Sequence, residues 1–93
     1  MKFALVKTCH ECPEQYDVYL GAEKVGYMRL RHGYFCAECP YGEIVYESHD
    51  TIGDGIFDPN ERDVFLTAAC IQIWNKLSRG GNGELYEIIE HSP

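Results

Sequence analysis

Alternating apolar and polar positions predict a β-sheet over the first half of the chain. Residues 15–20 and 23–31 alternate with a period of two, as half-buried strands do. Between them, Gly21 and Ala22 fit a two-residue hairpin turn with glycine first. Shorter strands are predicted at 3–6, 34–38 and 43–47, and the segment 84–89 fits a strand better than a helical turn. We expect an antiparallel β-meander of four to five strands.

Start and stop signals predict one C-terminal α-helix over about 59–79. Asp58 supplies an N-cap side chain, Pro59 suits the first helical position, and Glu61 lies three residues after the cap. Two glycines then end the pattern. The apolar residues that recur at helical spacing, and should face the sheet, are Leu66, Cys70, Ile73 and Leu77. The predicted fold class is α+β, with the meander packed against this helix.

A second, smaller apolar strip lies on the opposite side of the predicted helix. Its members are Val64, Ala68 and Ile71. A helix that buries only one face does not need such a strip. The strip indicates contact either with a terminal strand or with another chain, and the second case would be a homodimer.

The composition is that of an ordinary globular protein. The chain has 93 residues, of which 45% are apolar and 25% charged, and this fits a single domain over 1–93. No apolar run approaches the ~20 residues of a membrane span. The four consecutive apolar residues at 3–6 are too few for a secretory signal, whose apolar part takes ~7–15 residues. We therefore expect a cytoplasmic protein.

The net charge of −7 is concentrated in one segment. Residues 38–63 hold eight acids and one base, Arg62, so the rest of the chain is neutral. An acidic balance argues against an autonomous nucleic-acid-binding domain, which would normally be basic. The segment is either a solvated face that keeps the protein soluble or a docking surface for a basic partner. In the second interpretation the contact residues are Glu38, Glu43, Glu47, Asp50, Asp54 and Asp63.

Four of the five cysteines form two Cys-x2-Cys pairs. The pairs are Cys9 with Cys12 and Cys36 with Cys39, separated by 23 residues. Each pair can present two thiolates to one ion, and two pairs complete a tetrahedron. The pattern resembles a zinc ribbon over residues 9 to about 45, which implies a closed, structural zinc site. It departs from that family because proline, not glycine, follows each pair.

Other roles for these cysteines stay open at this point. Cys36 and Cys39 lie on a strand-like run, where alternate side chains face opposite ways, so both can pack as small reduced hydrophobes. A disulfide is disfavoured without a secretory signal, and a redox pair lacks the surrounding βαβ pattern. A histidine, His10 or His32, can replace one thiolate ligand. Cys70 is expected only to pack against the sheet.

Residues 50–61 resemble the twelve-residue calcium loop of EF-hand proteins. The matching ligand positions are Asp50, Asp54, Asp58 and Glu61, with Gly55 at the turn and Phe57 at the apolar position. Ile52 departs from the family because it stands where an oxygen ligand belongs, so any calcium affinity should be weak. The competing interpretation needs no metal. It consists of a tight turn at 53–55, a core phenylalanine and a helix cap.

No catalytic motif is evident in the sequence, and one signal points to nucleic acid. The chain has neither a Gly-rich phosphate loop nor a Gly-x-Ser-x-Gly motif. In strand 23–31 the alternation places Arg29 and Arg31 on one face with Val25 and Tyr27. Stacking of bases would use the tyrosines of the predicted strands and turns: Tyr16, Tyr19, Tyr27, Tyr34, Tyr41 and Tyr46. A half-buried sheet explains the same tyrosines without a ligand, because strands favour them.

These observations predict a small, acidic, non-enzymatic interaction module that docks a basic surface through residues 38–63. In size and charge it resembles, at the level of class, phage-encoded inhibitors that occupy nucleic-acid channels, anti-CRISPR proteins among them. Two other functions stay open. One is a zinc-ribbon-like accessory domain in transcription or nucleic-acid processing, and the other is a small metal-dependent enzyme that uses the 50–61 loop.

Overall fold

A computed structural model describes residues 2–9, 13–77 and 86–90. This part of the chain forms six strands and one helix. In chain order they are β1 (Phe3–Lys7), β2 (Glu14–Leu20), β3 (Glu23–Arg31), β4 (Tyr34–Glu38), β5 (Ile44–Ser48), α1 (Arg62–Lys76) and β6 (Tyr86–Glu90). Among the residues described, no helix has the length and apolar character needed to cross a membrane.

The strands form one mixed sheet in the order β5-β4-β3-β2-β1-β6. Strands β1 to β5 are the predicted antiparallel meander, and each pairs with its neighbour in the chain. The predicted strand count of four to five is wrong, because β6 adds a sixth strand that lies parallel to β1. Parallel neighbours need a crossover connection, and α1 lies in the segment that makes it here.

The core lies between α1 and one face of the sheet. Leu66, Cys70 and Ile73 of α1 are fully buried, as their helical spacing predicts. Leu77, the fourth member of that stripe, is half-buried against the same core. The strand residues buried beneath the helix include Phe3, Leu5, Tyr16, Val18, Met28, Leu30, Phe35 and Ala37.

A bulge in the β2–β3 pair changes the face on which Val25 lies. Val18 pairs with Gly26 and Tyr19 pairs with Lys24, so one residue of β3 is left over. Val25 is consequently 1% exposed and belongs to the core, whereas simple alternation places it with Tyr27 on the other face. The prediction that Val25 shares a face with Tyr27 is therefore wrong, because the bulge turns Val25 toward the core.

The two hydrogen bonds predicted for a cap at Asp58 are present, but they lie in the turn before the helix, whose own N-cap residue, Glu61, makes no side-chain capping bond. The backbone N–H of Asn60 donates to Asp58 Oδ1 at 2.8 Å, and the N–H of Asp58 donates to Glu61 Oε2 at 3.0 Å. Residues 59–61 form a turn, and α1 starts at Arg62, later than predicted. Leu77 is the C-cap, and the predicted end at residues 78–79 lies outside the described residues.

Candidate interaction surface

The face of the sheet opposite α1 carries no helix in the described part of the chain. Strand pairing places side chains from all six strands on it. These are Ala4, Val6, Gln15, Asp17, Tyr19, Lys24, Tyr27, Arg29, Arg31, Tyr34, Cys36, Glu38, Ile44, Glu47, Glu87 and Ile89. Most of them are half-buried, because neighbouring side chains on the pleated surface cover one another. We call this the open face.

Tyrosine hydroxyls are tied to polar neighbours on the open face. The Tyr34 hydroxyl donates to Glu47 Oε2 at 2.6 Å, and this bond raises the pKa of Tyr34 to about 12. The Tyr34 ring also lies against His49, with ring centroids 4.7 Å apart. Tyr27 donates to Gln15 Oε1 at 3.2 Å. Of the six tyrosines on which a nucleic-acid platform would depend, Tyr27 and Tyr34 are therefore already hydrogen-bonded within the chain, and Tyr16 is buried in the core.

Cys36 lies at the centre of the β4 part of this face. It pairs across the strands with Arg29 on one side and Glu47 on the other. Burial, followed by the nearby Glu38 carboxylate, raises the pKa of its thiol, and Arg29 acts in the opposite direction. Because the thiolate is the nucleophilic form of cysteine, this environment gives Cys36 low reactivity at neutral pH.

The structure does not bring together the described members of the predicted zinc site. Cys9 follows β1, and Cys36 lies on β4, three strand spacings away, or about 14 Å at ~4.8 Å per spacing. Cys39 lies near Glu43 and Lys76, toward the end of the helix. Cys12 and the alternative ligand His10 lie outside the described residues. Within residues 2–9, 13–77 and 86–90, no group of three or more His, Cys, Asp or Glu is placed to hold a metal ion, and zinc binding stays a prediction.

Cys70 packs in the core, as predicted. Its side chain lies on the sheet-facing side of α1 and is fully buried. Burial raises the pKa of the Cys70 thiol to about 12, so the group is a protonated, apolar filler at neutral pH.

Glu61, the predicted bidentate calcium ligand, binds backbone N–H groups with both carboxylate oxygens. Oε1 accepts from Ile52 at 2.7 Å, and Oε2 accepts from Gly53 at 2.8 Å as well as from Asp58. Burial opposes ionisation, but these three hydrogen bonds outweigh it and lower the pKa of Glu61. The loop thus has the turn-and-cap arrangement of the metal-free interpretation, and calcium binding by this loop stays a prediction.

A second set of contacts attaches the same loop to the β3–β4 turn. The backbone N–H of Gly33 donates to the carbonyl of Asp54 at 2.7 Å. The Thr51 hydroxyl lies within hydrogen-bond distance of the carbonyls of Gly33 and Gly53, at 3.3 and 2.9 Å. Together with Glu61, these bonds hold the 50–58 loop in one conformation against the sheet.

The six predicted partner-binding acids separate into distinct places. Glu38 and Glu47 lie on the open face, and Glu43 forms an ion pair with Lys76 at the end of α1. Asp50 and Asp54 are exposed in the loop that follows β5.

Asp63 lies apart from the other five, at the start of α1. Its carboxylate accepts from the hydroxyl of Tyr86 in β6 at 2.5 Å and from that of Thr67 at 3.4 Å. Five of the six acids are therefore close to β5 or its flanking loops, and one is not.

Sequence reasoning missed a set of exposed apolar side chains within this acidic segment. They are Tyr41 at 100% exposure, Ile44 at 49%, Ile52 at 77% and Ile56 at 48%. The available signal for Tyr41, Ile52 and Ile56 was their position in turns and loops, where neither strand nor helix periodicity buries a side chain, whereas Ile44 is the first residue of β5. Their exposure between glutamates and aspartates gives the surface around β5 a mixed apolar and acidic character.

A shallow cleft of about 170 Å³ lies beside the loop. Pro13, Arg31, His32, Asp54 and Gly55 line it. His32 has a positive φ of 54°, which a non-glycine residue adopts only in special turns. The cleft combines a guanidinium, an imidazole and a carboxylate at the end of the sheet next to the acidic loop.

Comparison with known proteins adds no family to this description. No family model matches the chain, and neither a curated protein nor a solved structure gives a significant match. What the surface can do follows from its own side chains. Exposed carboxylates attract cations, and exposed isoleucines and a tyrosine can enter apolar pockets of a partner.

Proposed function

We propose that this chain is a non-enzymatic binding module that docks a basic protein surface through residues 38–63. The observation that carries the proposal is the alternation of exposed apolar and exposed acidic side chains around β5. Four of the eight large apolar residues that the described structure exposes lie between Tyr41 and Ile56. Apolar groups that stay exposed beside charged ones are typical of protein-interaction sites.

The two kinds of side chain have different roles in docking. Glu47, Asp50 and Asp54 supply a field that speeds encounter with a basic partner and disfavours acidic ones. Ile44 and Ile52 supply apolar area that becomes buried on contact and slows dissociation.

The loop that presents these groups is already held in place. Glu61 binds the backbone of Ile52 and Gly53, and the turn at Gly33 binds Asp54. A preformed loop loses less conformational entropy on binding than a flexible one. The residues of the EF-hand-like loop therefore support docking in this proposal through a rigid conformation.

The partner class that fits best is a protein with a basic channel for nucleic acid. In such a channel, a surface with exposed acidic and apolar side chains competes with the phosphate backbone of the nucleic acid for the same lysines and arginines. The chain would then act in the cytoplasm as an inhibitor of the phage or mobile-element type, similar in class to anti-CRISPR proteins.

The test is displacement of single-stranded DNA from purified RNA-guided nucleases and other proteins with basic channels. Fluorescence anisotropy of a labelled oligonucleotide reports its release when the chain is added. We expect displacement from at least one such protein, weakening steeply as salt is raised from 0.05 to 0.5 M. No displacement across the panel would count against the proposal.

Two lysine substitutions distinguish the effect of the docking surface on displacement from the effect of net charge. Asp50→Lys changes the proposed docking surface, and Glu23→Lys makes the same change in net charge at the exposed start of β3. Asp50→Lys should reduce displacement strongly, whereas Glu23→Lys should leave it nearly unchanged. Equal losses in both would show that overall charge, not this surface, drives the effect.

A second candidate function is binding of single-stranded nucleic acid on the open face. The observation that favours it is the position of Arg29 between Tyr27 and Arg31 on that face of β3, with Tyr34 of β4 opposite Arg31. The acids Asp17, Glu38 and Glu47 share the face and oppose a phosphate backbone. Salt-sensitive binding of the labelled oligonucleotide by the chain alone, lost in Arg29→Ala, would select this function over the first.

A further inference from the structure

Strand β6 presents an edge that pairs with no other strand in the described part of the chain. It lies at one end of the sheet and pairs on its inner side with β1. All five residues of β6 are in register with β1, without a shift, so the strand is regular over its length. A regular edge strand offers a row of backbone donors and acceptors to another strand.

Exposed apolar side chains of β6 lie on both faces of the sheet, beside the exposed Glu87 on the open face. Ile88 pairs with Leu5 and so lies on the helix side, while Ile89 pairs with Val6 on the open face. Both isoleucines are 40% exposed. The strand contains neither lysine nor proline, the residues that most often protect an edge from pairing.

We propose that β6 pairs antiparallel with β6 of a second copy of this chain, with Ile88 at the twofold axis. This register overlaps all five residues of both strands. It sets Glu87 opposite Ile89, so the two copies of Glu87 do not face each other. Moving the axis by one residue, to Glu87, would place two glutamates directly opposite each other. Avoidance of glutamate–glutamate repulsion and the largest overlap of the two strands therefore select the same register.

The other edge of the sheet is less suited to a second copy. The β4–β5 pair has a register shift between Ala37 and Glu38, and such bulges disfavour edge pairing. Glu43, Glu47 and Asp50 also surround β5, so two copies would repel each other there.

The proposed dimer has a continuous sheet that runs through both copies. The contact is isologous, because the same strand is used on each side, and it closes as a dimer without forming a filament. Within each copy, the hydrogen bond from Tyr86 to Asp63 ties β6 to α1 and keeps the edge in position. The inference does not depend on the proposed docking of a basic partner, whose apolar and acidic contact residues around β5 lie at the other edge of the sheet.

Oxidative cross-linking of single-cysteine additions tests the register. Residues directly opposite on antiparallel strands have Cα atoms about 4.5–5.5 Å apart, within the range that a disulfide spans. Ile88→Cys should therefore give a covalent dimer well above the background of the parent chain. Glu87→Cys, the matched control one residue away, should not, because its two copies would lie about 8 Å apart. Equal cross-linking of both would overturn the register.

Sedimentation equilibrium of the full chain tests the dimer itself. The parent should be dimeric, and Ile88→Lys should be monomeric because two lysines would face each other at the axis. Ile71→Lys, on the exposed strip of α1, should stay dimeric, with circular dichroism confirming that both variants fold. A monomeric parent, or a dimer lost in Ile71→Lys and kept in Ile88→Lys, would overturn the proposal. The second result would assign the contact to the Val64, Ala68 and Ile71 strip.

Discussion

The carboxylate of Glu14, at the start of β2, accepts hydrogen bonds from Nε and Nη2 of Arg62, at the start of α1, at 2.8 and 3.2 Å. The same carboxylate accepts from the backbone N–H of Phe57 at 3.0 Å and from the hydroxyl of Tyr16. Glu14 is only 1% exposed. One buried anion thus joins a strand, a loop and a helix that are far apart in the chain.

Removal of Arg62 should destabilise the fold strongly. In Arg62→Met the Glu14 carboxylate stays buried without its cation, and breaking such a pair costs about 3–5 kcal/mol. Urea unfolding followed by circular dichroism measures the loss. Lys24→Met is the matched control, since it breaks the 3.0 Å pair with Asp17 on the surface and should cost at most about 1 kcal/mol. Similar losses in the two variants would mean that the buried pair contributes no more than a surface pair.

The free energy of unfolding should fall as the solution becomes acidic. Burial raises the pKa of Glu14, but its hydrogen bonds to Arg62, Tyr16 and Phe57 outweigh burial and lower it below the ordinary 4.5. The pKa of Glu61 is lowered in the same way by backbone N–H groups. Below 4.5 the unfolded chain therefore binds more protons than the folded one, and stability is lost as the pH falls toward the folded pKa values.

The pH dependence is checked by urea unfolding at a series of pH values between 7 and 2. Stability should change little above pH 6 on account of these two groups and decline below about 4.5. Glu61→Gln should flatten that decline, because the variant lacks one of the two carboxyls. The parent chain, measured over the same pH series, serves as the control.

Alanine at position 53 should disrupt the acidic loop. A Cβ on Gly53 would lie 1.8 Å from the carbonyl oxygen of Ile56, so the backbone must move and the bonds to Glu61 must break. We expect a loss of about 3 kcal/mol in the free energy of unfolding. Gly42→Ala has open space and meets only the strain of a positive φ of 84°, about 1 kcal/mol. If Gly53→Ala is the milder variant in thermal unfolding, the close approach is not present in solution.

Asparagine at position 32 should stabilise the β3–β4 hairpin. His32 and Gly33 both have positive φ, 54° and 71°, as in a type I′ turn, where Asn-Gly is the preferred pair. His32→Asn should raise the free energy of unfolding by about 0.5 kcal/mol, because asparagine tolerates this backbone conformation better. His32→Val should lower it by about 1–2 kcal/mol. A gain with valine would contradict the assigned turn.

Elements that depend on local patterns could be predicted from the sequence. The strands of the meander follow from period-two alternation, and the Gly21–Ala22 turn follows from the freedom of glycine, which has a φ of 66° here. The bonds between Asp58 and Glu61 follow from the spacing of a capping box. Each of these interactions joins residues that are close in sequence, so a short window contains the information that specifies it.

Other features depend on partners distant in the chain. The pairing of β6 with β1 joins the two ends of the described structure, and no local pattern indicates parallel direction. Val25 changes face because of a bulge that only the β2–β3 register reveals. The pairing of Glu14 with Arg62 spans 48 positions, and the sequence shows only a glutamate at the start of a strand.

Periodicity and charge are properties of neighbouring residues, so the α+β composition, the sheet-facing stripe of α1 and the acidity of residues 38–63 could be read along the chain. Folding in three dimensions was needed to show which acids meet around β5, which isoleucines stay exposed between them, and which strands form the edges of the sheet. Those outcomes depend on strand order and on contacts between segments that are distant in the chain. The proposed surfaces belong to this second group, since a binding site is formed by the residues that folding places side by side.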